Sequence, residues 1–166
     1  VRPGSYSTNQ TISRDYINWY FEEGSVVNYT GTTTLFDITT NGYDIRGYGV
    51  FQSISGSSIF SIGVSTNNYN IEGKSATISP TAFTQNTYVV NVNNGTGKIS
   101  IKFETISLTT ESIINTTSDN SLAAINILSP NVEVNVNNIL IYLPNTTVTT
   151  GRFVSLNISL PSSPSG

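Results

Sequence analysis

Histidine, cysteine and methionine are all absent from this 166-residue chain, which removes the commonest general base, the thiol nucleophile and the soft metal ligands together. A serine or threonine nucleophile needs a base within hydrogen-bonding reach, and the usual one is missing. Hydrolysis by two carboxylates is the catalytic chemistry that remains, with Glu22, Glu23, Asp37, Asp44 and Glu72 as the available acids. Adjacent Glu22 and Glu23 face opposite ways on an extended chain, so they do not make a dyad. The acids lack the loop spacing of a calcium hand, and Gly47, Gly49 and Gly56 come without a Walker-type lysine. The expectation is a non-enzymatic protein with no catalytic, metal or cofactor site.

The residues that can carry covalent chemistry are asparagines. Twenty residues are Asn and forty-six are Ser or Thr, and Asn-X-Ser/Thr sequons begin at Asn9, Asn28, Asn94, Asn115, Asn145 and Asn157. Their placement says more than their number. Asn94 falls at a turn rich in Asn and Gly, Asn145 follows Pro144, Asn115 lies in a polar stretch, and Asn157 has the outward parity of its segment. None occupies an apolar position, so each could carry a solvating glycan if the chain is exported. Lys74, Lys98 and Lys102 raise the idea of a Lys–Asn isopeptide crosslink, though no triad can be assigned.

Seventeen formal charges and a net charge of −3 leave no basic stripe for phosphates, so nucleic acid is not an expected partner. No run reaches the length of a membrane span, and Val1-Arg2-Pro3-Gly4 reads as a processed, mature end of an exported protein. With ten Asp and Glu and no His, few groups are available to drive acid unfolding. Without Cys there are no disulfides, and stability must come from packing or assembly.

Period-2 alternation dominates the chain and predicts strands. It sets Ile17, Trp19 and Phe21 on one face, and does the same for Phe36 and Ile38, and for Phe60, Ile62 and Val64. Tyr88, Val90 and Val92 are expected to form a hairpin with Ile99, Ile101 and Phe103 through Asn93-Asn94-Gly95-Thr96-Gly97. Val132, Val134 and Val136 change parity to Ile139, Ile141 and Leu143, which predicts a bulge or sheet switch near Asn137-Asn138. Val154, Leu156, Ile158 and Leu160 give a last strand, residues 110–125 read as loop plus strand, and no internal repeat stands out. Many short strands at this spacing predict an all-β, Greek-key β-sandwich occupying residues 16–166.

Residues 1–15 differ, with too little apolar surface to fold upon themselves. They predict an extended N-terminal tail. Tyr6, Thr8, Gln10 and Ile12 share one parity, which suits a strand donated to a groove. The more hydrophobic segment Val154–Leu160 is the alternative donor.

A non-pilin start, a polar tail, a Thr/Asn-rich all-β body and six sequons together resemble, over the whole chain, the subunit of the archaeal thread, an extracellular filament of thermoacidophilic archaea. The resemblance implies an immunoglobulin-like or type I pilin-like sandwich, heavy N-glycosylation, an acidic extracellular setting and head-to-tail polymerisation of identical subunits by donor-strand complementation. Adhesion or cell contact is the expected role of such a cell-surface filament. The alternative is a monomeric carbohydrate-binding or adhesin domain, in which an exposed row drawn from Tyr16, Trp19, Tyr20, Phe21, Tyr43, Tyr48, Phe51, Tyr69 and Tyr88 stacks on surface glycans.

Overall fold

A computed structural model of the chain describes residues 1–13, 17–38, 44–54, 58–63, 68–79, 86–93, 97–109, 114–116, 121–142, 146–148 and 152–158. Every regular element among them is a strand. The strands fall into six successive coils. The first holds β1 (Gly4–Thr8); the second β2 (Trp19–Phe21), β3 (Ser25–Tyr29) and β4 (Phe36–Ile38); the third β5 (Ile45–Gly47), β6 (Val50–Ser53) and β7 (Phe60–Ile62). The fourth holds β8 (Tyr69–Ile78) and β9 (Thr87–Val92); the fifth β10 (Ile99–Thr109), β11 (Ile114–Thr116) and β12 (Ser121–Ile127); the sixth β13 (Val132–Tyr142), β14 (Thr146–Val148) and β15 (Arg152–Ile158).

Each strand pairs with its counterpart one coil away, and every pairing is parallel. One sheet runs β1-β3-β6-β8-β10-β13, with β2 and β5 beside it, and a second runs β4-β7-β9-β12-β15. The all-β class expected from the alternation holds. A Greek-key sandwich pairs its strands antiparallel, whereas this chain winds as a parallel β-solenoid, in which each coil buries its apolar face only by stacking on the next.

The predicted hairpin is the clearest correction. β9 pairs with β7 and β12, while β10 pairs with β8 and β13, so these consecutive strands lie in different sheets and do not pair with each other. The absence of a visible repeat also has an explanation. Register partners are 21 residues apart at Tyr6–Val27, 24 at Val27–Phe51, 25 at Phe51–Ala76, 30 at Ala76–Ile106 and 33 at Ile106–Ile139. Coils that lengthen along the chain leave no fixed period.

The parity change near Asn137-Asn138 belongs to a bend shared by three coils. Phe103 and Ile106 are both buried, with Glu104 and Thr105 between them, and β8 repeats the pattern with Gly73 and Ala76 around Lys74 and Ser75. β13 keeps one register with β10 on both sides of Asn137, so there is no switch of sheet. At this bend the Lys74 and Ser75 amides both donate to the Gly49 carbonyl.

Inside, the early coils are aromatic. Phe36 stacks on Phe60 at a centroid distance of 5.4 Å and 9° between planes, and Phe51 meets Phe21, Phe36 and Phe60 edge-on. Two glycines make room for these rings. A Cβ on Gly73 would stand 2.7 Å from the Phe103 ring and 2.9 Å from that of Phe51. One on Gly47, whose φ is +103°, would collide with the Phe21 carbonyl oxygen. From the fourth coil onward the interior is mainly aliphatic, Tyr69 and Phe103 apart, with Ile71 over Ile101 and Val90 over Ile125.

Polar side chains also stack in like pairs from coil to coil, some of them buried. Thr77 and Ser107 hydroxyls lie 2.7 Å apart, and the Asn126 amide donates to Asn91 Oδ1 at 2.8 Å.

Candidate functional site

Residues 1–13 form the first coil on their own body. The Val1 ammonium donates to the Tyr20 carbonyl, the Glu22 amide donates to Val1 O, and Ser25 Oγ donates to Val1 O and Arg2 O. β1 then pairs with β3 from Gly4 to Thr8. Tyr6 and Thr8 lie over Val27 and Tyr29, Gln10 is in the connection that follows, and Ile12 bridges to Phe36. The shared face of Tyr6, Thr8 and Ile12 therefore lies against the chain's own interior columns.

The two ends of the solenoid differ. At the first coil the Tyr6 hydroxyl donates to Arg2 O, Thr8 is half-buried, and Val1 and Ile12 pack against the core. At the last coil the interior columns end uncovered. Ile101, Ile106 and Ile125 are 0% exposed and Ile127 is 4% exposed; their neighbours one coil on, Val134, Ile139, Leu156 and Ile158, are 36, 37, 41 and 55% exposed. Leu140 and Tyr142 add further apolar surface beside them. β13 is also a sheet edge among the described residues, so every second residue directs its N–H and C=O away from β10. An eleven-residue strand carrying bare Val and Ile beside an unpaired backbone is a surface built to be covered.

The sequence-predicted modification sites are scattered around the coils. Asn9 is exposed next to β1, with its Oδ1 accepting from Gln10. Asn28 is half-buried in β3 and donates to Ser5 Oγ. Asn115 lies in β11 and Asn157 in β15, where it is the register partner of Asn126. Asn94 and Asn145 fall outside the described residues, as do Val64, Leu143 and Leu160.

The acids do not converge. Asp44 accepts from Arg46 at 2.6 Å and from the Asn70 backbone amide at 2.8 Å, which ties one coil to the next. Glu22 and Glu23 sit exposed in the turn between β2 and β3, and Asp37 lies in β4 in the other sheet. Among the described residues no group of three acids could hold a metal ion, and no helix is long and apolar enough to cross a membrane. Sequence reasoning missed the open end, although its signal was present: Val132, Val134, Val136, Ile139 and Ile141 read as ordinary inward positions, and nothing local says that this face is left partly exposed among the described residues.

No protein-family model matches this chain, and neither a curated protein nor a solved structure matches it at a significant level.

Proposed function

We propose that the protein is a structural subunit of an extracellular, N-glycosylated filament that serves adhesion or cell contact and polymerises head-to-tail. The observation that carries this reading is the abrupt exposure of four interior columns at the last coil. The occupant is the first coil of a second copy. β1 presents a free outer edge running in the same direction as β13, so copy upon copy continues the parallel ladder that already joins β10 to β13. Such a contact is heterologous and does not close, which yields a fibre.

Stacking of whole coils replaces donation of a loose strand in this account. Residues 1–13 already pair with β3, and exchange between copies would first require them to leave it. Sedimentation velocity of the purified 166-residue chain over a wide concentration range tests the proposal, together with electron micrographs of the same samples. Open-ended growth is expected. Association that stops at a dimer would mean that two bare ends meet about a two-fold axis, and a monomer at every concentration would remove the assembly reading. The exposed Tyr20 and Tyr48 rings favour the second reading, a monomeric carbohydrate-binding or adhesin domain.

A further inference from the structure

A hollow of about 140 Å³ lies on the outer wall of the larger sheet, over the bend shared by the fourth, fifth and sixth coils and bordered by Gly47 and Tyr48 of the third. Its floor includes Gly47, Gly73 and Phe103. Two rows of outward side chains border it. In the first row Glu72 stands in register with Lys102, and Lys102 with Asn135. In the second, Lys74 lies opposite Glu104, between the paired Gly73–Phe103 and Ser75–Thr105, and Asn137 follows on β13. Tyr48 closes the end nearer the N-terminal coils, with 54% of its surface exposed.

The four charged groups form no contact ion pair with one another. The ion pairs among the described residues are Arg46–Asp44 and Lys98–Glu133, so Glu72 and Lys102, like Lys74 and Glu104, stand opposite without closing to contact. Glu72 accepts from the Gly47 amide at 3.2 Å, which fixes one carboxylate at the rim. The result is two ammonium donors, two carboxylate acceptors and two amides around one small concavity, with no net charge among the four ionised groups.

This arrangement selects a ligand class. A polyanion meets Glu72 and Glu104, and a polycation meets Lys74 and Lys102. An extended peptide finds no free backbone on β8 or β10, which are paired on both sides within the sheet, and the open edge of β13 lies only at the far border of the hollow. A neutral polyol fits, since each hydroxyl can donate to a carboxylate and accept from an ammonium, while the Tyr48 ring covers the apolar C–H face of a sugar. The volume is below the roughly 300 Å³ at which pockets for drug-sized ligands begin, so a single sugar ring would occupy it. Strand spacing of about 4.8 Å gives the wall from Glu72 to Asn135 a span of about 10 Å, enough for the chain to continue across the strands.

We propose that the bend hollow bordered by Tyr48, Glu72, Lys74, Lys102 and Glu104 is a binding site for a neutral oligosaccharide. It lies on the lateral wall, so it stands or falls independently of assembly through the open end. The test is isothermal titration of chitotetraose and mannotetraose, with tetragalacturonate as the charged comparison, into protein made in a host that adds no N-glycans. Glycosylated protein run in parallel shows whether the chain's own glycans already fill the site. At least one neutral tetrasaccharide should bind. Tyr48→Ala should weaken it about tenfold, the size of a lost aromatic face, with Tyr48→Phe close to wild type. Glu104→Gln should weaken it less, and Tyr142→Ala at the open end should change nothing. Absence of binding by both neutral probes, tighter binding of tetragalacturonate, or indifference to Tyr48→Ala would each overturn the proposal.

Discussion

Replacing Ile139 and Ile158 together by lysine separates the assembly surface from the fold that carries it. Both side chains end interior columns, at 37 and 55% exposure, over Ile106 and Ile127. Full burial of an Ile is worth about 1.5–3 kcal/mol, so covering what remains exposed contributes roughly 0.5–1 kcal/mol at Ile139 and about 0.8–1.6 kcal/mol at Ile158. Their joint loss, about 1.5–2.5 kcal/mol, corresponds to a factor of roughly 10–70 in the association constant, before any cost of burying an ammonium group. Sedimentation velocity should show the onset of polymerisation moving to at least tenfold higher concentration, while urea denaturation of the dispersed protein should show a loss of no more than about 1.6–3 kcal/mol, the part of each side chain already buried within one copy. The reasoning fails if the double variant polymerises at the wild-type concentration. It also fails if the variant unfolds as readily as a core mutant, because those side chains would then be covered within a single copy.

Gly47→Ala should lose about 2–4 kcal/mol in urea denaturation, because a φ of +103° is strained for alanine and its methyl meets the Phe21 carbonyl. Gly24→Ala, at φ +86° with its nearest neighbour 3.4 Å away, should cost only about 1–2 kcal/mol by the same measurement. Phe60→Ala removes a ring that touches Phe36, Phe51 and Phe103 and should destabilise the fold by about 3–5 kcal/mol; a loss below about 1 kcal/mol would mean the aromatic cluster does not close. Burial holds the Tyr88 phenol above its ordinary value near 10, so the unfolded chain ionises first as pH rises. The stability tied to the protonated phenol is complete below pH ~10 and is lost above it, so Tyr88→Phe should match wild type at neutral pH and fall less steeply in alkaline urea titrations.

Much of the local structure was legible in the residues. Alternation placed Phe36 and Ile38, Phe60 and Ile62, Val90 and Val92, and Ile99, Ile101 and Phe103 on buried faces, and it put Lys98, Lys102 and Glu104 in water. Ile17 shows the limit of the rule, since it lies exposed ahead of β2. The parity change at Asn137-Asn138 was equally readable, though not its recurrence at Lys74-Ser75 and Glu104-Thr105, because those strands begin at unequal intervals.

What the residues determine alone is which side of each strand turns inward, since that follows from the pleat, a property of neighbouring peptide units. Which strand lies beside which, and in what direction, was decided only by the tertiary structure. Val90 finds Phe60 and Ile125 as partners, 30 and 35 residues away, and no local preference distinguishes them from Ile101, the hairpin partner only 11 residues away. An Asn/Gly turn serves a hairpin or a corner between sheets equally well. The choice between them rests on whether Phe36, Phe51, Phe60 and Phe103 can meet in one interior, a long-range condition that winding in parallel coils satisfies. The same winding leaves Val134, Ile139, Leu156 and Ile158 partly exposed, with no coil above them among the described residues, which is why this surface emerged from the stacking of coils and not from any motif.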